Sequence, residues 1–350
     1  MLHPVSPPRI IGPQPGPPGP SRIRRFGAAA SIASVAATLA FLEPSTGEPA
    51  TDFDQILFAA KALLHGANPY SLFGPGKIYN SDFRLVYPIT SAIAILPLGL
   101  LSSVSATLIF VWVSTALLVY GATRDGWFRM PMFISSAFIY AARRGQWSPA
   151  LTSAWFIPWM GWILAAKPNV GLAIFASASS LRMMKNAVIG ALVLGGIGLI
   201  LLPTWPSDWL AQISHARHVV APVTQPGGFL VLFALLRWRR PEARLLVALA
   251  CVPHTMFWYE LLPLMVIPAT FHESVAFALV STTGLVFEQM LLAKGIQGLA
   301  LIHDFNAIMI AVGYLPATAM VLRRSNSGTF NWSSAAPKRM IASRPFRSYV

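Results

Sequence analysis

The sequence is poor in cysteine and in acidic residues. Cys251 is the only cysteine among 350 residues, which excludes a disulfide within the chain and a cysteine-rich metal site. Asp and Glu number 12, and charged residues make up 11% of the chain, against about 25% in an average soluble domain. Hydrophobic residues reach 55%, too much apolar surface for a soluble fold to hide behind so few charges. The composition therefore predicts an all-α polytopic membrane protein.

The basic residues outnumber the acids, 26 against 12, and the net charge is +14. They form short clusters between apolar runs instead of one solvated face, which argues against a nucleic-acid partner. Basic residues at the cytosolic ends of membrane spans produce this distribution. With twelve crossings, both termini lie in the cytosol, as do three clusters within the chain: Arg182/Lys185, Arg237/Arg239/Arg240/Arg244 and Arg323/Arg324.

The apolar runs between residues 26 and 322 predict a bundle of about 11–13 transmembrane helices. Several runs are shorter than the roughly 20 residues needed to cross the hydrocarbon. These runs must be tilted, broken or re-entrant, which is possible where they line a protein cavity. Residues 147–167 contain Pro149 and Pro158, and they fit either one kinked span or two half-length helices.

Polar segments divide the chain. Residues 1–25, rich in Pro and Gly, predict a disordered cytosolic leader, and residues 323–350 predict a basic cytosolic tail. Between them lies a membrane domain, residues 26–322, with two predicted outer loops at 43–85 and 204–228. Within the first loop, residues 55–64 have the spacing of an amphipathic helix that lies on the outer membrane surface.

Five of the twelve carboxylates fall in the first loop: Glu43, Glu48, Asp52, Asp54 and Asp82. Asp54 fits the N-cap of the helix that is predicted from Gln55. Asp52 then has no structural role and becomes a functional candidate. Other carboxylates lie within or beside apolar stretches, where ionisation costs free energy and marks either a functional site or a buried ion pair. They include Glu260, Glu288 and Asp304.

A series of short motifs follows the first span in a fixed order. The series reads Thr51-Asp52-Phe53, Ala59-Ala60-Lys61-Ala62-Leu63-Leu64-His65-Gly66-Ala67-Asn68-Pro69-Tyr70, Val86-Tyr87-Pro88, Leu96-Pro97-Leu98, Gly145-Gln146 and Lys167-Pro168. In this order it resembles the polyprenol-phosphate mannosyltransferases of glycosyltransferase family 87, in the GT-C superfamily. The motifs cover residues 52–168, and the hydropathy profile extends the resemblance to about residue 322.

The resemblance implies an inverting transfer of a hexose, mannose in the family, from a polyprenyl-phosphate donor to a glycolipid or cell-envelope glycan. It implies a GT-C-like bundle in the plasma (inner) membrane, with the active site on the outer face and membrane lipids around it. Asp52 stands at the family's catalytic aspartate and would be the general base. Binding of the donor phosphate or substrate is expected from Arg84, Tyr87, Gln146, Lys167, His254 and Glu260. No cofactor and no metal are expected.

The sequence departs from the family pattern in two places. The interval from Gln146 to Lys167 is shorter than in the family, and residues 252–260 carry a displaced His254 and Trp258-Tyr259 where a His pair often stands. Lys167 also fits an interfacial anchor that snorkels to the membrane surface. A transporter or lipid flippase that uses intramembrane carboxylates is the alternative function, and a scaffold partner of a cell-envelope synthase is a third.

Overall fold

The computed structural model describes residues 19–43, 52–81, 83–216, 219–296 and 305–327. Most of the predicted leader and tail lies outside the described residues, as do Glu48, Asp82 and Asp304. The described chain is mostly helical. Its α-helices are α1 (Arg22–Phe41), α2 (Asp52–Leu64), α3 (Pro69–Leu72), α4 (Ile89–Ala94), α5 (Ser103–Ala122), α6 (Ser136–Arg143), α7 (Ser148–Phe156), α8 (Pro168–Ala176), α9 (Leu181–Leu201), α10 (Trp205–Ile213), α11 (Pro241–Cys251), α12 (Phe271–Ala293) and α13 (Phe305–Leu322).

Tighter 3₁₀ segments and a short strand pair connect these helices. Strands β1 (Val219–Val220) and β2 (His254–Thr255) are antiparallel, with Val220 opposite His254. Helix α13 contains a π-helical turn at Ile310–Tyr314. The 3₁₀ segments are Leu96–Leu100, Met130–Ile134, Pro158–Ala166, Pro222–Thr224, Gly228–Arg237 and Trp258–Val266.

Four helices of the described residues, α5, α9, α12 and α13, are long and apolar enough to cross a membrane. Their 18 to 23 residues correspond to about 30 Å at the α-helical rise, close to the thickness of the hydrocarbon core. Helix α1 also has 20 residues, but three of its first four are arginines. The remaining apolar runs form shorter segments. The membrane character that the composition predicts is therefore carried by these four helices.

Proline explains why many apolar runs are broken. Residues 147–167 form two short segments, α7 and the 3₁₀ segment Pro158–Ala166, instead of one continuous helix. Ile157 between them is extended, with φ −120° and ψ 90°, because the residue before a proline is disfavoured in the helical region. Lys167 is likewise non-helical before Pro168, where α8 begins.

Two helices begin earlier than the sequence predicts. Helix α1 begins at Arg22, inside the predicted leader, because the side chain of Ser21 accepts a hydrogen bond from the backbone N–H of Arg24. Helix α2 begins at Asp52, three residues before Gln55. The predicted N-cap role of Asp54 is therefore wrong. Both aspartates lie in the first turn of α2, where a negative charge interacts favourably with the helix dipole.

Helix α2 buries one side against the rest of the fold. Phe53, Ile56, Leu57 and Ala60 are each 1% exposed or less. The ring of Phe53 stacks on Phe110 of α5 with 4.4 Å between the ring centroids. The predicted amphipathic helix is present, and this packing holds its first turn in a fixed position.

An arginine cluster joins the segment Gly228–Arg237, α11 and α13. Arg244 donates to the backbone carbonyls at the C-terminal end of α8 and to those of Trp238 and Arg239. Arg237 donates to the carbonyls of Leu322 and Arg324. We call Arg237, Arg240, Arg244 and Arg324 the arginine cluster. Two of the basic clusters predicted to be cytosolic thus contact each other.

Candidate active site

A cavity of about 570 Å³ lies beside the first turn of α2. Its other walls come from residues 83–88, the start of α8, α10, the β1–β2 pair and the start of the segment Trp258–Val266. One part of the lining is apolar and includes Leu172, Trp209, Ile213 and Phe257. The other part is charged or polar and consists mainly of Asp52, Arg84, Tyr87, Arg144, Lys167, Tyr259 and Glu260.

Gln146 connects Asp52 to the other charged residues. Its Nε2 donates a hydrogen bond to Asp52 Oδ2. Its Oε1 lies 3.4 Å from Lys167 Nζ and 3.4 Å from the hydroxyl of Tyr87, both of which donate to it. Because an ammonium can only donate, the Gln146 amide must turn its oxygen to Lys167 and its nitrogen to Asp52. Gln146, 2% exposed, is therefore a buried linker behind the cavity wall.

Gly145 explains how Gln146 reaches Asp52. The backbone of Gly145 has φ +59°, a conformation that side chains with a Cβ rarely adopt. A Cβ at this position would also lie 2.8 Å from the Cβ of Phe53, the neighbour of Asp52 in α2. The Gly-Gln pair thus combines a left-handed turn after α6 with close approach to α2.

Lys167 and Glu260 form a buried ion pair at the cavity. Lys167 Nζ lies 2.5 Å from Glu260 Oε1, and the two residues are 7% and 1% exposed. The ammonium also lies 5.6 Å from the ring centroid of Tyr87 and 5.2 Å from that of Tyr259. Such burial does not fit an anchor that snorkels to the membrane surface. We call Asp52, Gln146, Lys167 and Glu260 the cavity cluster.

Burial dominates the electrostatics of Asp52, which belongs to the predicted outer loop. Removal from water raises the pKa of its carboxyl, and the negative charge of Glu260 acts in the same direction. The charges of Arg144 and Lys167 and the hydrogen bond from Gln146 oppose this rise in the pKa. A carboxylate with a raised pKa holds a proton more strongly than a free one, as a general base must.

Two arginines line the same cavity, and sequence reasoning named only Arg84 as a site residue. Arg84 is exposed at the wall. Arg144 was missed, although it lies directly before the Gly145-Gln146 motif. Glu43, at the end of α1, binds both neighbouring arginines: its carboxylate lies 2.6 Å from Arg143 Nε and 3.6 Å from Arg144 Nε. The signal in the sequence was the basic pair next to the Gly-Gln motif.

His254 does not line the cavity, although Pro253 and Thr255 on either side do. Its Nε2 lies 3.0 Å from the hydroxyl of Tyr314, and its Nδ1 lies 2.8 Å from the carbonyl of Val252. At 1% exposure it is a buried histidine with a partner for each ring nitrogen. The structure therefore brings together Asp52, Arg84, Tyr87, Gln146, Lys167 and Glu260, and it leaves His254 behind the wall.

Helix α10, Ala216 and strand β1 line one side of the cavity. Trp209 Nε1 donates to the carbonyl of Val86 at 2.8 Å, and Asp208 accepts a hydrogen bond from Asn68 at 2.8 Å. These contacts fix α10 against the predicted first loop. The two predicted outer loops are thus neighbours at the same cavity.

Among the described residues, no group of three His, Cys, Asp or Glu side chains is arranged to hold a metal ion. Comparison of the chain with protein-family models, with curated proteins and with solved structures found no match.

Proposed function

We propose that this protein is an integral-membrane glycosyltransferase that transfers a hexose from a polyprenyl-phosphate donor to a glycolipid or cell-envelope glycan. Mannose is the expected sugar because of the motif resemblance. The observation that carries the proposal is the cavity itself. It places a carboxylate with a raised pKa, two arginines and a buried Lys–Glu pair around one space with an apolar side wall.

Asp52 is the proposed general base. It takes the proton from an acceptor hydroxyl as the acceptor oxygen bonds to the anomeric carbon of the hexose. The bond from that carbon to the phosphate oxygen breaks, and its electron pair leaves with the polyprenyl phosphate. Attack from the side opposite the leaving group inverts the anomeric configuration. The hydrogen bond from Gln146 keeps the Asp52 carboxylate in one orientation.

Arg84 and Arg144 are the proposed partners of the donor phosphate. Developing negative charge on the leaving group requires fixed positive charge or hydrogen-bond donors. Lys167 is already neutralised by Glu260, so the pair as a whole adds no net charge to the cavity. The guanidinium groups at the wall suit phosphate because they donate several hydrogen bonds in a plane. The apolar wall near Leu172 and Trp209 suits the first part of a polyprenyl chain.

The proposal includes a GT-C-like topology of about 11–13 crossings in the plasma membrane. The four long apolar helices supply four crossings and α1 supplies the first crossing of the chain. The broken runs supply the others in pairs or as tilted segments. Both termini then lie in the cytosol and the cavity opens to the outer face. The meeting of two basic clusters in the arginine cluster supports one common cytosolic end.

The distribution of buried carboxylates favours an enzyme over a transporter. Transport would use a track of carboxylates through the membrane domain. Glu260 is instead paired with Lys167 beside Asp52, and Glu288 accepts hydrogen bonds from Trp258 and Tyr140 away from the cavity lining. Asp304 lies outside the described residues.

A transfer assay tests the proposal. The purified protein in liposomes receives polyprenyl-phosphate mannose labelled with ³H and an acceptor lipid extract, and labelled glycolipid is measured. Asp52→Asn should lower the rate by about 10²–10⁴-fold, because this is the usual contribution of a general base. Asp54→Asn, in the same turn of α2 but outside the cavity lining, is the control and should keep the rate.

Two results would count against this assignment. Full transfer by the Asp52→Asn variant would remove Asp52 from the mechanism. Failure of the unaltered protein to consume the donor with any acceptor extract would favour transport or a scaffold role.

A further inference from the structure

Glu260 has one oxygen whose hydrogen-bonding capacity is not used. Oε1 binds Lys167, whereas Oε2 is buried and has no hydrogen-bond partner among the described residues. The side chain nevertheless lines the cavity. Buried carboxylate oxygens are nearly always hydrogen-bonded, because a buried acceptor without a donor costs free energy. Glu260 Oε2 therefore requires a donor from a molecule that enters the cavity.

Glu288 is a buried carboxylate that does not line the cavity, and it serves as a comparison for Glu260. It is 4% exposed, and its Oε2 accepts hydrogen bonds from Trp258 Nε1 at 2.8 Å and from the Tyr140 hydroxyl at 2.9 Å. Trp258 and Glu260 lie in the same 3₁₀ segment. Trp258 of this segment thus supplies a donor to Glu288, whereas Oε2 of Glu260 in the same segment has no donor.

The surroundings select the kind of donor. The negative charge of Glu260 would repel a phosphate. Arg84 and Arg144, which line the same cavity, are better partners for it. A cation would meet Lys167, which already neutralises the carboxylate at 2.5 Å. A neutral hydroxyl donates a hydrogen bond without adding charge, and a hexose ring carries several hydroxyls.

We propose that Glu260 Oε2 accepts a hydrogen bond from a ring hydroxyl of the donor hexose and so distinguishes a sugar-loaded lipid phosphate from a bare one. The two carboxylates of the cavity cluster have different partners. Asp52 accepts a hydrogen bond from Gln146, whereas Glu260 accepts one from Lys167. Asp52 faces the acceptor hydroxyl, and Glu260 holds the sugar under attack. This inference rests on the proposed function.

Binding of two lipids, without any acceptor, tests it. The full chain in lipid nanodiscs is titrated with farnesyl phosphate and with farnesyl phosphate mannose. The unaltered protein should bind the mannose-bearing lipid at least about tenfold more tightly, the effect of one hydrogen bond to a charged group. Glu260→Gln leaves the positive charge of Lys167 unpaired, so it should bind farnesyl phosphate more tightly. It should nevertheless lose most of the preference for the mannose-bearing lipid. Glu288→Gln, the matched buried control, should keep the preference.

Loss of the charge at Glu260 leaves Lys167 unpaired, so the stability of the variant needs its own control. The double variant Lys167→Gln/Glu260→Gln removes both charges and leaves no isolated ion in the wall. It should also lack the preference. A series of mannose donors that lack one ring hydroxyl provides a second measurement. One of them should bind the unaltered protein about tenfold more weakly, and Glu260→Gln should not discriminate against it.

The outcomes separate the two proposals. If neither lipid binds, the proposed function and this inference both fail. If farnesyl phosphate binds as well as its mannose derivative, or if Glu260→Gln keeps the preference, the assignment of Glu260 is wrong and the proposed function stands.

Discussion

The cavity cluster and the arginine cluster both collect charged side chains, yet they use them in different ways. In the arginine cluster, Arg237 and Arg244 donate to backbone carbonyls at the ends of helical segments, whereas Arg240 and Arg324 also pair with carboxylates. In the cavity cluster the charged groups bind one another, and one oxygen of Glu260 remains unpartnered at the wall. The first arrangement satisfies carbonyls that the helices leave free. The second arrangement has hydrogen-bonding capacity left at the wall of a cavity, where a ligand can reach it.

The difference shows that a cluster of charges alone does not mark a functional site. Arg244 serves the carbonyls of five residues, a structural role. Lys167 has two partners, Glu260 and Gln146, and both of them connect to the cavity. What distinguishes the two clusters is the cavity, which Asp52, Lys167 and Glu260 line and which none of the four arginines lines.

The largest effect is expected at Lys167. Lys167→Met leaves the Glu260 carboxylate buried and without a counter-ion, which should destabilise the fold by about 3–5 kcal/mol. Arg244→Met removes hydrogen bonds to backbone carbonyls, three of them exposed and two partly buried, and leaves no isolated charge. It should cost about 1–2 kcal/mol and leave transfer unchanged. Unfolding in a mixed-micelle denaturant titration measures both. Equal losses at the two sites would remove the distinction between the clusters.

The next effect is expected at Gly145. Gly145→Ala combines a left-handed conformation, which costs a residue with a Cβ about 1–2 kcal/mol, with a contact of 2.8 Å to Phe53. The displaced Gln146 should also lower the transfer rate. Gly66→Ala is the matched control, because Gly66 has φ +68° and no atom within 4 Å of the added Cβ. Gly66→Ala should lower the stability and keep the transfer rate. A lower transfer rate in this variant would mean that the contact with Phe53 is not the cause of the loss at Gly145.

A smaller effect is expected at Arg144. Arg144→Gln should weaken binding of farnesyl phosphate about tenfold, because one charge-assisted contact to phosphate is lost. Arg143→Gln changes the neighbouring arginine, which shares the Glu43 partner but does not line the cavity. Titration in nanodiscs measures both affinities. Equal affinities in the two variants would exclude Arg144 as a phosphate ligand.

The pH dependence of transfer gives the finest test. Because burial raises the pKa of Asp52, the base is ionised only above that pKa, and the rate should rise with pH through it. The positive charge of Arg144 lowers this pKa, so Arg144→Gln should move the rising limb to higher pH. The transfer rate at saturating donor, measured over a series of pH values, gives the position of this rising part of the curve. A limb that stays in place would mean that Arg144 does not act on Asp52.

Much of the architecture was accessible from the sequence. Apolar runs near residues 105–121, 187–203 and 274–292 became α5, α9 and α12, because long apolar stretches have few alternatives to a helix. The position of the breaks was less accessible. Two prolines in residues 147–167 allowed either a kink or a full break, and in the structure Ile157, before Pro158, is extended and separates two segments.

For the candidate site, too, the sequence indicated some residues and only the tertiary structure showed the others. Scarcity of acids made it possible to select Asp52 and Glu260 from twelve carboxylates. Residue spacing could not show that Arg144 reaches the cavity, because helix α6 ends one residue before it and only the tertiary fold determines its direction. It also could not show that His254, one residue from the wall, turns away to Tyr314.

By itself, the sequence determined that the chain is apolar, helical and poor in acids, because composition and hydrophobic run length act locally along the chain. Only the tertiary structure decided which charged groups meet. Asp52, Gln146, Lys167 and Glu260 are separated by up to 208 positions in the chain and come from four segments. Their contact depends on long-range packing, above all on the approach of Gly145 to Phe53, and such packing leaves no periodic signal in the sequence.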